Sequence, residues 1–535
     1  MPLRPAYALA ALAALSAPVR ADSVPVHVTI DEHVDAAIKA AGVSPAPQAD
    51  DATLIRRLTL DLAGRIPTPA EADAYVKSSD PDKRAKLVDR LIASPGFVRH
   101  QAAQFEAMLT PEGGRRGGAV GEYLRTALAG GKTWDKMYRD LMLPDESDTT
   151  MKGAADFLKT RLTDTDRLTN DVSVSFFGVN VSCAQCHDHP LVKDWTQDHF
   201  YGMKAFLART YDAGGTLAER GFGLVKYKAN KGPEKLAGMM FLTGAKLSDA
   251  TAREMTKDEQ KAEKDLVERA KKEKKSPPRP AFSARAKLVE VSLAEDNADF
   301  FARSIANRMW HRFFGSGLVN PLDQMHSENP PSHPELLTYL ADDTEAHGYD
   351  LKRLIRGIVM SKAYSRSSRY PTEATPERKL FAVAQLKPFT PLQLSTSLKI
   401  AAADPTQFEA KKDAEVEKMI EQLESSGRGF ASLIAQPTDN FQVGVGEALL
   451  FSNGDRVAKE FLTDGGGSVL ARAKALTDKK AAVALLVRSA YGRAPTAAES
   501  AALVGYVDRR ADRPAEAYRQ VLWALVTGPE FRFVY

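Results

Sequence analysis

The sequence predicts a mainly α protein with two helical domains and a small amount of strand between them. Apolar residues recur at helical spacing in both halves, for example over residues 54–62 and 301–314. Capping-box patterns, in which a Thr or Ser precedes a Glu or Gln by three positions, predict helix starts at Thr68, Ser332 and Thr390. Residues 224–240 are the best candidate for strand.

The N-terminus has the composition of a secretory signal peptide. Arg4 precedes a short run of small apolar residues over positions 8–19, and small residues at Val19 and Ala21 suit a signal peptidase. We therefore predict cleavage after Ala21 and an exported protein, located in the periplasm or at the cell surface. The alternative is a buried N-terminal helix. No later stretch predicts a membrane span.

Composition and the positions of helix-breaking residues divide the mature chain into four segments. The predicted order is a lead-in and linker at 22–50, a helical domain at 51–215, a short strand region with a charged helical linker at 216–285, and a second helical domain at 286–535. Over residues 256–275 the linker helix is dense in charge and poor in apolar residues, which is typical of a solvated face.

The charge balance gives no support for a nucleic-acid partner. The formal net charge of +4 includes Arg4 and Arg20, so the chain without residues 1–21 carries +2. A nearly neutral chain of this length gives no indication of nucleic-acid binding. At 44% hydrophobic residues it can bury a sizeable core, so it does not depend on disulfides for stability.

The two cysteines of the chain fall in one C-x-x-C-H motif, Cys183-Ala184-Gln185-Cys186-His187. This pattern is typical of covalent c-type haem attachment. If the motif forms one helical turn, all three side chains project from the same face. Cys183 and Cys186 would then hold the ring, and His187 would be the axial ligand of the iron.

The sixth iron position has two weak candidates in the helix predicted after the motif, His199 and Met203. They are four residues apart and therefore share a helix face. Met203 would raise the reduction potential and His199 would lower it. For both residues, ordinary packing is the alternative.

Two other chemistries compete for the motif. Cys183 and Cys186 could form a redox disulfide, although the thioredoxin-like βαβ context is missing. They could also bind zinc together with two of His187, His189 and His199. No G-x-S-x-G or H-E-x-x-H pattern indicates a hydrolase.

The phrase at residues 64–71, a Gly-Arg turn followed by a Thr-to-Glu capping box, returns at 492–499. Apolar helical patterns precede both copies. The repeat predicts two similar helical hairpins produced by internal duplication. The alternative is the independent recurrence of common capping chemistry, because two copies do not establish a repeat.

The motif and its surroundings, at 177–190 and 195–197, resemble the planctomycete-type cytochrome-like domain family PSCyt. Residues 54–62 and 67–69 add to this resemblance. The second half resembles the companion PSD family at 307–319, 328–337 and 348–352. Both are families of unknown function, typical of exported proteins in planctomycete-like bacteria.

From these observations we expect an exported cytochrome-like protein with one covalent haem, serving electron transfer or redox support of a periplasmic partner protein. The alternative is a non-redox binding or scaffold protein with a structural zinc site, linked to polysaccharide breakdown. An enzyme with a pocket shared between the two halves is a third hypothesis, so the sequence leaves open whether the protein is an enzyme.

Overall fold

A computed structural model describes residues 24–110, 118–229, 232–409, 411–437 and 443–535. Of these described residues, 57% are helical, and they form 24 α-helices and only short antiparallel strand pairs, which confirms the mainly α class. The predicted signal peptide at 1–21 lies outside the described residues.

The described part of the first half, up to the strand region, contains ten α-helices. These are α1 (Val26–Ala40), α2 (Asp51–Ala63), α3 (Pro69–Lys77), α4 (Lys83–Ala93), α5 (Pro95–Leu109), α6 (Gly118–Ala129), α7 (Trp134–Met142), α8 (Asp156–Lys159), α9 (Thr165–Phe177) and α10 (Gln197–Leu207). Short 3₁₀ turns occupy Thr149–Met151 and Ser182–Ala184.

Six short strands follow. They are β1 (Thr210–Asp212), β2 (Leu217–Glu219), β3 (Val225–Lys228), β4 (Glu234–Ala237), β5 (Met239–Met240) and β6 (Lys246–Leu247). They pair in sequence order as three antiparallel hairpins, so each strand pairs with a near neighbour.

The second half is again helical. Its helices are α11 (Lys257–Glu273), α12 (Ala284–Ser292), α13 (Asp299–Phe314), α14 (Pro334–Ala346), α15 (Leu351–Met360), α16 (Pro391–Ala402), α17 (Asp413–Ala431), α18 (Val445–Asn453), α19 (Asp455–Phe461), α20 (Val469–Ala475), α21 (Lys479–Tyr491), α22 (Ala497–Asp508), α23 (Pro514–Thr527) and α24 (Pro529–Arg532). Strands β7 (Lys387–Pro388) and β8 (Phe533–Val534) pair with each other, and 3₁₀ turns lie at Arg378–Leu380 and Pro405–Phe408.

Two of the three predicted capping boxes are confirmed. Thr68 and Glu71 exchange hydrogen bonds at the start of α3, and Thr390 and Gln393 do the same at α16. The prediction at Ser332 is wrong, because α14 begins one residue later than that pattern requires. His333 is the N-cap and makes no side-chain capping bond.

The larger hydrophobic core combines helices from both halves of the chain. It runs in sequence from Val26 to Ala382 and includes the aromatic faces of α7, α9 and α13. Helix α1, in the segment predicted as lead-in and linker, packs against α15 and α14. The packing therefore crosses the strand region that the sequence suggested as a divider.

The smaller core lies mainly in the last third of the chain, from Phe389 to Val534. Two residues of the first half, Leu60 and Ile66, belong to it. The hairpin at 64–71 thus packs directly on the C-terminal helices.

No helix in the described ranges has the length and apolarity that crossing a bilayer requires.

The two copies of the hairpin phrase adopt the same local structure. Helices α2 and α21 end at Gly64 and Gly492, whose φ values of 73° and 71° suit glycine. In each copy the following arginine forms a two-bond ion pair with the capping-box glutamate: Arg65 with Glu71 and Arg493 with Glu499. The shared geometry favours duplication over chance recurrence of a cap.

Candidate functional site

The C-x-x-C-H motif follows directly after α9. That helix ends at Gly178, where a φ of 69° turns the chain, and Val179 and Val181 are fully buried. Buried residues on both sides of the turn fix where the chain leaves the core. The motif therefore starts from a rigid point, although its own side chains face solvent.

The motif itself does not form the α-helical turn that the sequence suggested. Residues Ser182–Ala184 form a 3₁₀ turn, and non-helical turns follow to His187. Ala184 is fully buried and anchors the loop, whereas Cys183, Cys186 and His187 are exposed. The two thiols are free, so the motif presents three reactive groups to solvent.

Helices α9 and α10 hold the motif loop through its polar atoms. Asn170 accepts hydrogen bonds from the main-chain N–H groups of Val181 and Ser182, at 3.0 and 3.1 Å. The carbonyl of Gln185 accepts from Tyr201 Oη at 3.1 Å and from Gln197 Nε2 at 3.2 Å. These bonds fix the main chain and leave both cysteine side chains and the His187 ring exposed.

The hydrogen bond of His187 selects the tautomer that a metal ligand requires. Its Nδ1 lies 2.8 Å from the main-chain oxygen of Asp188. Because a carbonyl oxygen only accepts, Nδ1 is the donor, and Nε2 of the neutral ring keeps its lone pair. A hydrogen bond of this kind both selects the metal-binding nitrogen and orients the ring.

The two neighbouring histidines have the opposite tautomer. His189 Nδ1 accepts from the N–H groups of Leu191 and Val192, at 3.2 and 3.0 Å. His199 Nδ1 accepts from the N–H of Thr196 at 3.3 Å, and burial lowers the pKa of His199. In both neutral rings the proton is on Nε2, so neither offers a lone pair to a metal.

The sixth-ligand candidates lie away from the exposed surface of the motif. Met203 is 0% exposed and belongs to the larger core. His199 is half-buried, and its ring packs edge-on against Trp195. Within the described ranges, no three His, Cys, Asp or Glu side chains are arranged to hold a metal ion.

The second half of the chain clamps both flanks of the motif. Before it, Asn180 donates its main-chain N–H to the oxygen of Asp323 at 2.8 Å, and Met325 donates to Gly178 at 3.1 Å. After it, the Asp194 carboxylate accepts from the N–H and hydroxyl of Ser327, at 2.7 and 2.8 Å. Sequence reasoning missed these contacts because over 130 residues separate the partners, and no local pattern marks them.

Apolar and aromatic groups border the motif. Leu191 is 80% exposed, which is unusual for a leucine. On the other side, Tyr201 stacks on Tyr227 of β3 with ring centroids 4.1 Å apart. The exposed thiols thus sit beside surfaces on which a flat apolar group could rest.

A second group of functional interest is buried between the two halves. We call it the Asp61 cluster, and it consists of Arg57, Asp61, Arg312, Tyr364 and Lys387. The Asp61 carboxylate accepts from Lys387 Nζ at 2.8 Å on each oxygen and from Tyr364 Oη at 2.9 Å. Arg57 donates to the main-chain oxygens of Tyr364 and Arg366. Sequence patterns marked Arg57 and Asp61 only as part of a resemblance.

Comparison with known families accounts for more than half of the chain. Residues 29–212 match the family PSCyt2, described as a protein of unknown function (DUF1549), and residues 284–431 match PSD1, a protein of unknown function (DUF1553). The chain therefore belongs to the proteins that carry these two family regions in this order. No curated protein and no solved structure matches it.

Both sites can be located within the two matched family regions. The C-x-x-C-H loop lies inside the PSCyt2 region, and the residues that clamp it, Asp323 to Ser327, lie inside the PSD1 region. The Asp61 cluster also draws on both regions. Each site is thus a junction between the two families.

Proposed function

We propose that the protein is an exported cytochrome-like protein that carries one covalent haem at Cys183, Cys186 and His187. The observation that carries the proposal is the His187 Nδ1 hydrogen bond to Asp188, which leaves Nε2 free beside two exposed thiols. Export rests on the predicted signal peptide at 1–21, since c-type haem is attached outside the cytoplasm.

Several residues at and beside the motif support the haem proposal. Cys183 and Cys186 would each add their S–H across a vinyl group, which consumes no oxidant. His187 would ligate the iron through Nε2, and Leu191 and the Tyr201–Tyr227 pair provide apolar contact beside the motif. When bound, haem supplies one-electron redox chemistry. The chain's own part is to hold and orient it, through the loop that Asn170 and Asp194 fix.

The exposure of the motif favours electron exchange with a partner protein. A haem attached to exposed thiols keeps an accessible edge, which short-range electron transfer between proteins needs. The hydrogen bonds at His189 and His199 argue against a four-ligand zinc site here, because both rings direct a proton rather than a lone pair outward at Nε2. Electron transfer or redox support of a periplasmic partner is therefore the function we favour.

The proposal is tested by producing the full chain with a haem-maturation system and recording its absorption spectrum. We expect a Soret band in the wild type and in His189→Ala, which serves as the matched control. His187→Ala should lose the wild-type spectrum, because the Nδ1 atoms of its neighbours His189 and His199 already accept main-chain hydrogen bonds. Purified zinc-loaded protein without a Soret band would overturn the proposal in favour of the structural site.

A further inference from the structure

The tautomer of His187 depends on the orientation of one peptide group, the one that joins Asp188 to His189. Its C=O accepts the hydrogen bond from His187 Nδ1, at 2.8 Å. Its N–H donates to the main-chain oxygen of Trp195, also at 2.8 Å. The peptide is trans, so its N–H and C=O point in opposite directions. The bond to Trp195 therefore helps to aim the carbonyl at the His187 ring.

The Asp188 side chain supplies a second anchor for this peptide. Its Oδ1 accepts from the main-chain N–H of Gln197, the first residue of α10, at 2.9 Å. The first N–H groups of a helix have no partner inside the helix, and a carboxylate beside them also interacts favourably with the helix dipole. Because Asp188 is exposed, this bond, and not burial, holds the residue in place.

Both anchors are fixed by their own surroundings. Trp195 is 4% exposed and belongs to the larger core, where its ring centroid lies 6.0 Å from that of Phe300. Gln197 is 6% exposed, and its Nε2 donates to the carbonyl of Gln185 within the motif at 3.2 Å. The core and the start of α10 thus provide a rigid frame for the His187 ring.

We propose that Asp188 is a positioning residue, whose carboxylate, bound to the N-terminus of α10, holds the peptide that keeps the proton of His187 on Nδ1. The use of this arrangement for haem rests on the proposed function, whereas the arrangement itself belongs to the haem-free chain. Histidine ligands are oriented through the ring nitrogen that does not bind the metal, and that bond raises the basicity of the ligating nitrogen. Asp188 therefore acts on the iron only through His187.

The first test is the tautomer of His187 in the haem-free, reduced full chain, read from its imidazole 15N chemical shifts at about pH 8.5, where histidine is neutral. His187→Ala assigns the signal. We expect Nδ1–H in the wild type and in Asp188→Asn, whose amide oxygen still accepts, and a mixture of tautomers in Asp188→Ala. Asp50→Ala, which removes a comparable carboxylate cap from α2, is the control. The wild-type signal in Asp188→Ala would overturn the proposal.

A second pair of variants removes the donor instead of the acceptor. Proline is tolerated at the first position of a helix, so Gln197→Pro deletes the N–H that bonds to Asp188 and leaves α10 able to form. Gln197→Ala loses the same side-chain bond to Gln185 but keeps the N–H. Only Gln197→Pro should change the His187 tautomer. The same tautomer in both variants would contradict the role of Asp188.

The haem-loaded protein gives a separate measurement. Loss of the bond at Nδ1 makes Nε2 a weaker donor to the iron, so Asp188→Ala should have a higher reduction potential than the wild type, and Asp188→Asn a potential close to it. An unchanged potential in Asp188→Ala would overturn its role toward the iron. A wild type that takes up no haem would contradict the proposed function alone, and the tautomer measurement would still decide the role of Asp188.

Discussion

The C-x-x-C-H loop and the Asp61 cluster both join the two family regions, but they use polar groups in opposite ways. In the loop, hydrogen bonds hold the main chain and leave Cys183, Cys186 and His187 open to solvent. In the cluster, the buried Asp61 carboxylate accepts hydrogen bonds from Tyr364 and Lys387 inside the protein. The loop therefore leaves its reactive side chains accessible, whereas the cluster uses its charged side chains to hold two segments of the chain together.

The largest loss of unfolding free energy is expected when the Asp61 cluster loses its carboxylate. Asp61→Asn leaves Lys387, Arg57 and Arg312 without the charge that faces them, and breaking a buried pair from one side costs about 3–5 kcal/mol of unfolding free energy. Denaturant unfolding of the wild type and the variant measures it. The control is Asp89→Asn, which breaks an exposed pair with Arg356 and should cost under about 1 kcal/mol. Equal losses in the two variants would contradict the contrast.

The two copies of the hairpin test how burial changes the strength of an ion pair. The same Arg–Glu pair is more buried in the first copy than in the second. The Arg65 and Glu71 side chains are 5% and 16% exposed, against 22% and 34% for Arg493 and Glu499. We expect Glu71→Gln to cost about 2–3 kcal/mol and Glu499→Gln about 1 kcal/mol, because solvent screens the second pair and Arg493 keeps its two bonds to Glu530. Both are measured by denaturant unfolding at pH 7, and the reverse order would refute the burial argument.

The same pair predicts a pH dependence. Contact with Arg65 outweighs burial and lowers the pKa of Glu71 from 4.5 to about 2. A lowered carboxyl pKa stabilises the fold above the unfolded value, and the stabilisation is lost as pH falls from about 4.5 to about 2. The wild type should therefore lose more stability than Glu71→Gln over that window. Parallel curves of stability against pH would show that the pair does not titrate with folding.

A smaller effect is expected where the second region clamps the loop. Asp194→Asn keeps the shape of the side chain but weakens its two bonds to Ser327, which should cost about 1 kcal/mol. Because the motif side chains remain exposed, we expect haem attachment to continue with a lower yield. The ratio of haem absorbance to protein measures that yield. An unchanged yield would show that the clamp does not position the motif.

The smallest effect, on the haem absorption spectrum, is expected at the two residues that the sequence suggested as sixth iron ligands. Met203→Leu conserves volume in the core, and His199→Ala removes a half-buried ring whose Nδ1 is already bonded. The haem absorption spectrum should keep its wild-type maxima in both variants. A shifted spectrum in either one would identify that residue as a ligand of the iron.

Sequence patterns predicted the local features of this protein well. The helical class, the boxes at Thr68 and Thr390 and the repeated hairpin are encoded in neighbouring residues, so periodicity and capping chemistry reveal them. The helical turn expected at Cys183 to His187 was wrong. Buried Ala184 and contacts from Asn170 and Gln197 shape that loop, and such tertiary contacts override local preference.

The contacts between distant segments could not be predicted from sequence patterns. The bonds of Asp61 to Lys387 and of Asp194 to Ser327 span over a hundred residues, and neither pair has a distinctive spacing. The sequence identified the thiols and His187 as candidates, but the tautomers that distinguish His187 from His189 and His199 depend on the folded loop.

The most direct test of the account is the intact mass of the exported full chain, produced with a haem-maturation system and measured under denaturing conditions. The account predicts a mass gain of one haem in the wild type, retained because thioether bonds survive unfolding, and its loss in the Cys183→Ser, Cys186→Ser double variant. An unmodified wild-type mass under conditions in which a known c-type cytochrome is loaded would contradict it.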